Sequence, residues 1–125
     1  MDASSSATPA ASAPLRIAAL LGFLGVALGA FGAHALKHTL SVHETVEVWR
    51  TAVLYQLVHA TALLALAAAG RANALLTGLW TAGIILFSGS LYILGVTGIK
   101  WLGAITPLGG LAFLAGWLVL VFRGR

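Results

Sequence analysis

The sequence predicts an all-α integral membrane fold, a four-helix bundle of up-down-up-down topology with an interfacial extension at the start of the second helix. Three observations carry that expectation. Of 125 residues, 60% are hydrophobic and 8% charged, and the mean hydropathy is +1.00, whereas soluble domains carry about 25% charged residues. The apolar residues fall in long runs, and a run of about 20 with few charges is long enough to cross the hydrocarbon as a helix. The basic residues Arg16, Lys37, Arg50, Arg71, Lys100, Arg123 and Arg125 stand between those runs singly or in pairs. Basic residues so placed anchor and orient spans, whereas nucleic-acid binders gather them on one face. The net charge of +4 therefore does not point to nucleic acid. The absence of cysteine excludes disulfides, thiol catalysis and Cys-ligated metal centres.

The elements follow in order. Residues 1–14, rich in Ala, Ser and Pro, have the composition of a flexible tail, and residues 15–125 form the transmembrane domain. The first span is read at residues 17–36, uncharged after Arg16. Ala33-His34-Ala35 resembles a signal-peptidase site, but the weak positive region before the run favours a retained span. Ser41 and Glu44 have capping-box spacing, which predicts a helix start near Val42. A helix from there to Ala69 would be about 42 Å long, more than the roughly 30 Å hydrocarbon core. Its first turns, with Glu47 and Arg50 spaced as an i,i+3 pair, must lie outside the hydrocarbon, and the span is residues 51–69, closed by Gly70. The third span is residues 72–98, with Gly98 as terminator, and the fourth residues 102–122. Pro107 either bends that helix or starts it with Thr106 as N-cap, leaving Trp101–Ile105 as an interfacial segment. Trp49, Trp80, Trp101 and Trp117 read as interface anchors. Short connections make consecutive spans antiparallel neighbours, so both termini share one side.

Within the first span Gly22, Gly25, Gly29 and Gly32 are spaced 3, 4, 3, a stripe that permits close helix approach, either inside the bundle or across a dimer seam. Gly109, Ala112 and Gly116 in the fourth span, and Gly78, Ala82 and Gly89 in the third, read the same way. Polar groups at membrane depth face the bundle interior. Gln56 and His59, three residues apart, share one face of the second span, and His34 closes the first span, where it could face the hydroxyls of Ser88, Ser90, Tyr92 and Thr97. The candidate intramembrane polar site is thus His34, Gln56, His59, Ser88 and Ser90. A haem shared by His34 and His59 fails on depth, since one lies about 12 Å from the midplane and the other close to it. His34 and His38 have i,i+4 metal-ligand spacing, but Ala35 stands where an HExxH motif needs its Glu. The sequence presents no triad, phosphate loop or paired carboxylates, and no cofactor is expected.

Three strings, LGAFGAHALK at residues 28–37, W-x-x-A-x-x-Y-Q-x-x-H-A at 49–60, and FSGSLY with WLGAITPLGGLAFLAGW over 87–117, occur here in order. Together they resemble the small membrane-protein family of unknown function that includes bacterial YgdD and eukaryotic transmembrane protein 256. The resemblance covers residues 15–122 and implies a multi-pass helical membrane protein, with no reaction or substrate. The motif positions match Gly29, Gly32, His34, Lys37, Trp49, Tyr55, Gln56, His59, Ser88, Ser90, Pro107 and Gly109. His38 and the Ala/Ser-rich amino terminus fall outside the pattern.

The function expected is non-enzymatic: an accessory subunit of a membrane complex, or a small homo-oligomer, acting through helix packing in the lipid bilayer. The alternative is a small transporter or proton-handling protein using His59, Gln56 and His34. A bacterial cytoplasmic membrane is the expected location. The basic residues, four on the terminal side against three opposite, favour cytoplasmic termini.

Overall fold

The computed structural model describes residues 12–123, so the tail over 1–11 lies outside the described residues. Four long apolar helices run antiparallel in sequence order: α1 (Ala13–Ala33), α3 (Val46–Ala68), α4 (Ala74–Thr97) and α5 (Thr106–Arg123). A short helix α2 (Lys37–Val42) and a 3₁₀ turn (Lys100–Ala104) make the two connections on the side away from the termini. The described residues form helices and turns without a strand, and the all-α four-span bundle stands.

The helix ends explain where the boundaries moved. α1 begins two residues into the expected tail because the Ser12 hydroxyl accepts the Leu15 amide at 3.2 Å and Pro14 occupies the first turn, where its missing N–H is harmless. It stops at Ala33, three residues earlier than read, and His34–Leu36 form a turn. The capping box at Ser41 and Glu44 does not form. Ser41 donates its hydroxyl to the Lys37 carbonyl at 2.9 Å inside α2, and Glu44 sits past the end of α2 at φ 56°. There the Thr45 amide reaches back to the Leu40 carbonyl and the Glu44 amide to that of Ser41, the Schellman closure of a helix. The left-handed backbone costs a non-glycine residue about 1–2 kcal/mol. In return the chain turns sharply, and Thr45 donates its hydroxyl to the Gly95 carbonyl of α4 at 2.6 Å.

The second span closes as expected. Gly70, at φ 73°, donates to the Ala67 carbonyl while the Arg71 amide reaches Leu66. Asn73 then starts α4 by accepting the Leu76 amide at 2.8 Å, and α4 ends at Gly98 with φ 72°. α5 starts at Thr106 with Pro107 in its first turn, so Trp101–Ile105 is a separate segment and Pro107 does not interrupt the helix. The Thr106 hydroxyl is hydrogen-bonded to that of Ser90 at 2.7 Å. Within α4, residues Ile84–Ser88 form a π-helical turn that the sequence reading did not contain.

α3 and α4 are central, with α1 packed mainly on α3 and α5 on α4. The main apolar core lies toward the terminal side: Ala18 and Leu21 of α1, Ala60 and Leu63 of α3, Leu76, Trp80 and Ile84 of α4, and Phe113 of α5. Large apolar residues such as Phe23, Val26, Leu111 and Val121 point outward, as they do when hydrocarbon is the solvent. On the opposite side Leu40 of α2 is buried beside Gly95 and tucks that connection under the bundle.

Candidate intramembrane polar site

In lipid a buried polar group must find its partner inside the protein. At the centre of α3, Gln56 satisfies both ends of its amide across two seams. Its Nε2 donates to the Leu21 carbonyl of α1 at 2.8 Å, and its Oε1 accepts the Tyr92 hydroxyl of α4 at 2.6 Å. One turn on, His59 Nδ1 donates to the Tyr55 carbonyl at 2.8 Å, while Nε2 accepts the Trp117 indole N–H of α5 at 3.0 Å. A carbonyl can only accept and an indole can only donate, so these partners define the neutral tautomer protonated at Nδ1. The ring stacks on Phe113 with centroids 3.8 Å apart and meets the Trp80 ring edge to face at 5.2 Å. A second proton on Nε2 would turn it toward an existing donor and break the Trp117 bond.

Ser88, the last residue of the π-helical turn, and Ser90, just beyond it, engage different neighbours. Ser88 donates to the Ala52 carbonyl of α3 at 2.7 Å, and Ser90 donates to its own helix at Phe87 while engaging Thr106. Two residues apart on a helix, the two hydroxyls face different sides. Gln56, His59, Ser88 and Ser90 are all buried. Among the described residues, the Thr81 hydroxyl is buried without a hydrogen-bond partner.

His34 does not join this site. It is exposed in the turn after α1, where the helix has already ended, and it lies at the opposite end of α1 from the core. Tyr92, expected among its partners, serves Gln56 instead. The tryptophans also require correction. Trp101 is exposed in the connection as an interface residue should be, but Trp49 and Trp80 are buried. Each donates its indole N–H to a backbone carbonyl of the facing helix: Trp49 to Leu28 at 2.8 Å and Trp80 to Phe113 at 3.2 Å.

The glycines beneath these indoles make the approach possible. A Cβ on Gly32 would sit 2.2 Å from Trp49 Nε1, and one on Gly116 would sit 2.1 Å from Trp80 Nε1. Gly25 packs under Leu57 and Gly29 under Val53, so three of the four stripe residues serve the α1–α3 seam inside the chain. Gly22 does not, since a Cβ there would meet open space. Gly78 and Gly89 are likewise open, and the contact glycines of α4 are Gly83, under Phe113, and Gly95, under Trp49. α4 buries Leu76, Thr77, Trp80 and Gly83, a face other than that of Gly78 and Ala82.

Four apolar helices tied by buried polar bonds define a multi-pass α-helical membrane protein. The chain belongs to a family described as "Protein of unknown function (DUF423)", whose pattern matches residues 28–110. It is 46% identical over 111 residues to the UPF0382 membrane protein YwdK of Bacillus subtilis, covering 84% of this chain and 89% of that one. It is 43% identical over 110 residues to the UPF0382 membrane protein SSP2132 of Staphylococcus saprophyticus, covering 84% and 90%. The UPF0382 inner membrane protein YgdD of Escherichia coli K12 is 40% identical over 112 residues, covering 86% and 85%. No solved structure matches the chain.

Proposed function

We propose that this protein acts without catalysis, as an accessory subunit of a membrane complex or as a small oligomer that presents its outer helix faces to other membrane helices. The observation that carries the reading is the closed hydrogen bonding of Gln56 and His59, whose polar atoms are engaged by Leu21, Tyr92, Tyr55 and Trp117. A transport site needs polar groups free to exchange partners with a solute or water, whereas Leu21, Tyr92 and Trp117 tie α3 to α1, α4 and α5, and Tyr55 holds the His59 ring within α3. The reading places the protein in a bacterial cytoplasmic membrane, in keeping with the inner-membrane description of YgdD, with both termini on the cytoplasmic side.

Reconstituted wild type and His59→Gln provide the test, combined with cross-linking in native membranes. The glutamine amide still donates and accepts, so the variant should fold, losing stability by about 0.6–1.7 kcal/mol per weakened bond. Neither protein should pass protons faster than empty vesicles, and cross-linking should capture a stoichiometric membrane partner or a second copy. Proton flux in the wild type that disappears in a stably folded His59→Gln would overturn the reading in favour of transport.

A further inference from the structure

The α1–α3 seam is closed at Gly25 under Leu57 and again at Gly32 under Trp49, and beside it, toward the α2 connection, lies a cavity of about 560 Å³, lined by groups that the polar site does not use. Its inner wall is apolar, formed by Gly29 of α1 and by Val53 and Leu57 of α3, and its rim carries Lys37 at the start of α2 and Arg50 in the second turn of α3. From Arg50 to Leu57 the wall descends about 10 Å along the helix axis. The missing side chain at Gly29 leaves width that a larger residue would fill, and Leu40 of α2 overhangs the cavity from the connection. The rim cations stand at the level where the chain leaves the hydrocarbon. Lys37 is exposed, and Arg50 donates from Nη1 to Glu47 Oε1 at 2.9 Å in a pair that is 72% and 82% exposed, so the rest of its five-donor fork is open. Such a surface pair contributes little to stability.

We propose that this cavity is a binding site for one anionic phospholipid, with an acyl chain against Gly29, Val53 and Leu57 and the phosphate between Lys37 and Arg50. The charge pattern selects the occupant. A zwitterionic lipid brings its own cation to the rim, whereas an anionic headgroup meets Lys37 and the Arg50 donors that Glu47 leaves open, above an apolar wall suited to a hydrocarbon chain. Arg50 presents a fork matched to phosphate oxygens, and Lys37 adds a compact charge from the other side. The site is distinct from the Gln56–His59 cluster, neither residue of which lines it.

The test uses the purified full chain in a neutral detergent, titrated with dioleoyl phosphatidylglycerol or dioleoyl phosphatidylcholine and read by retained lipid in native mass spectrometry and by melting temperature. Phosphatidylglycerol should bind and stabilise, and phosphatidylcholine should do so much less. Removing both charges in Lys37→Gln/Arg50→Gln should weaken phosphatidylglycerol binding by about twenty-five-fold, at roughly fivefold per basic residue. The charge-preserving Lys37→Arg/Arg50→Lys protein should retain most of it, which separates a lost site from a misfolded chain. Arg16→Gln/Arg71→Gln, on the opposite side of the bundle, should leave binding unchanged. Glycerol 1-phosphate alone should neither bind nor compete, because it has no chain to place in the groove. Equal affinity for the two lipids, equal loss in both charge-removal variants, or full activity of glycerol 1-phosphate as a ligand would each overturn the proposal.

Discussion

The α1–α3 seam and the α4–α5 seam use the same device in opposite arrangements. In both, a buried tryptophan donates its indole N–H across an antiparallel pair to a backbone carbonyl, with a glycine beneath the ring: Trp49 over Gly32 to Leu28, and Trp80 over Gly116 to Phe113. In the first seam Gly25, Gly29 and Gly32 all lie on α1 and the large residues on α3. In the second the roles alternate, Gly83 of α4 receiving Phe113 while Gly109 and Gly116 of α5 receive Phe87 and Trp80. One-sided packing leaves α1 a smooth face that Trp49 still closes at Gly32, and the cavity lined by Gly29, Gly32 and Ala33 lies alongside that seam. Alternating packing locks α4 to α5 along the seam, where the Gly109 Cβ position lies 2.3 Å from the Phe87 backbone nitrogen. The contact falls within the π-helical turn at Ile84–Ser88.

The sharpest break in this comparison is Gly109→Ala. The added methyl meets backbone, which cannot rotate aside as a side chain can, so the α4–α5 seam should lose about 3 kcal/mol, the upper end of overpacking costs. Gly29→Ala in the other seam meets only the Val53 Cγ1 at 3.3 Å and should lose far less. Unfolding titrations in mixed micelles measure both, and equal losses would remove the distinction between the seams.

A smaller effect separates the two indoles. Trp49→Phe and Trp80→Phe each remove one hydrogen bond to a carbonyl, worth about 0.6 kcal/mol on average and up to roughly 1.7, together with some packing. Because the two bonds belong to different seams, the double variant should lose the sum of the single losses to within about 0.5 kcal/mol. A coupling well above that would show that the seams form one cooperative unit.

The smallest effect is expected at Gly22, which belongs to the α1 glycine stripe by spacing but not by contact. With open space around its Cβ position, Gly22→Ala should leave the melting temperature unchanged or raise stability by up to about 1 kcal/mol through helix propensity. A loss comparable to that of Gly25→Leu, which must displace Leu57, would place Gly22 against a partner outside this chain.

The polar site was legible where its members share one helix. Gln56 and His59 stood out because strongly polar side chains deep in a span are rare, and the rule that they face inward held for both. Their partners were not legible: Leu21 and Tyr55 contribute backbone carbonyls that carry no side-chain signal, and Trp117 had the spacing of an interface anchor. His34 was misplaced because the sequence did not reveal that α1 stops at Ala33. Gly78 and Gly89 were misplaced because regular spacing exists on every face of a helix, and only a neighbour decides which face is used.

The sequence establishes a membrane protein with four helical spans and short antiparallel connections. Those properties follow from uninterrupted apolar length and from punctuation by charge, glycine and proline, each acting within a few residues along the chain. It also determined the terminators Gly70 and Gly98, because a left-handed backbone favours glycine wherever it occurs. The tertiary structure alone decided which glycines lie under which rings, that Trp49 and Trp80 bond across seams rather than to the interface, that α4 carries a π-helical turn, and that Lys37 and Arg50 rim one cavity. Each of these depends on the registration of two helices, which is fixed by the fit of side chains across a seam, and no local pattern along a single helix encodes that fit.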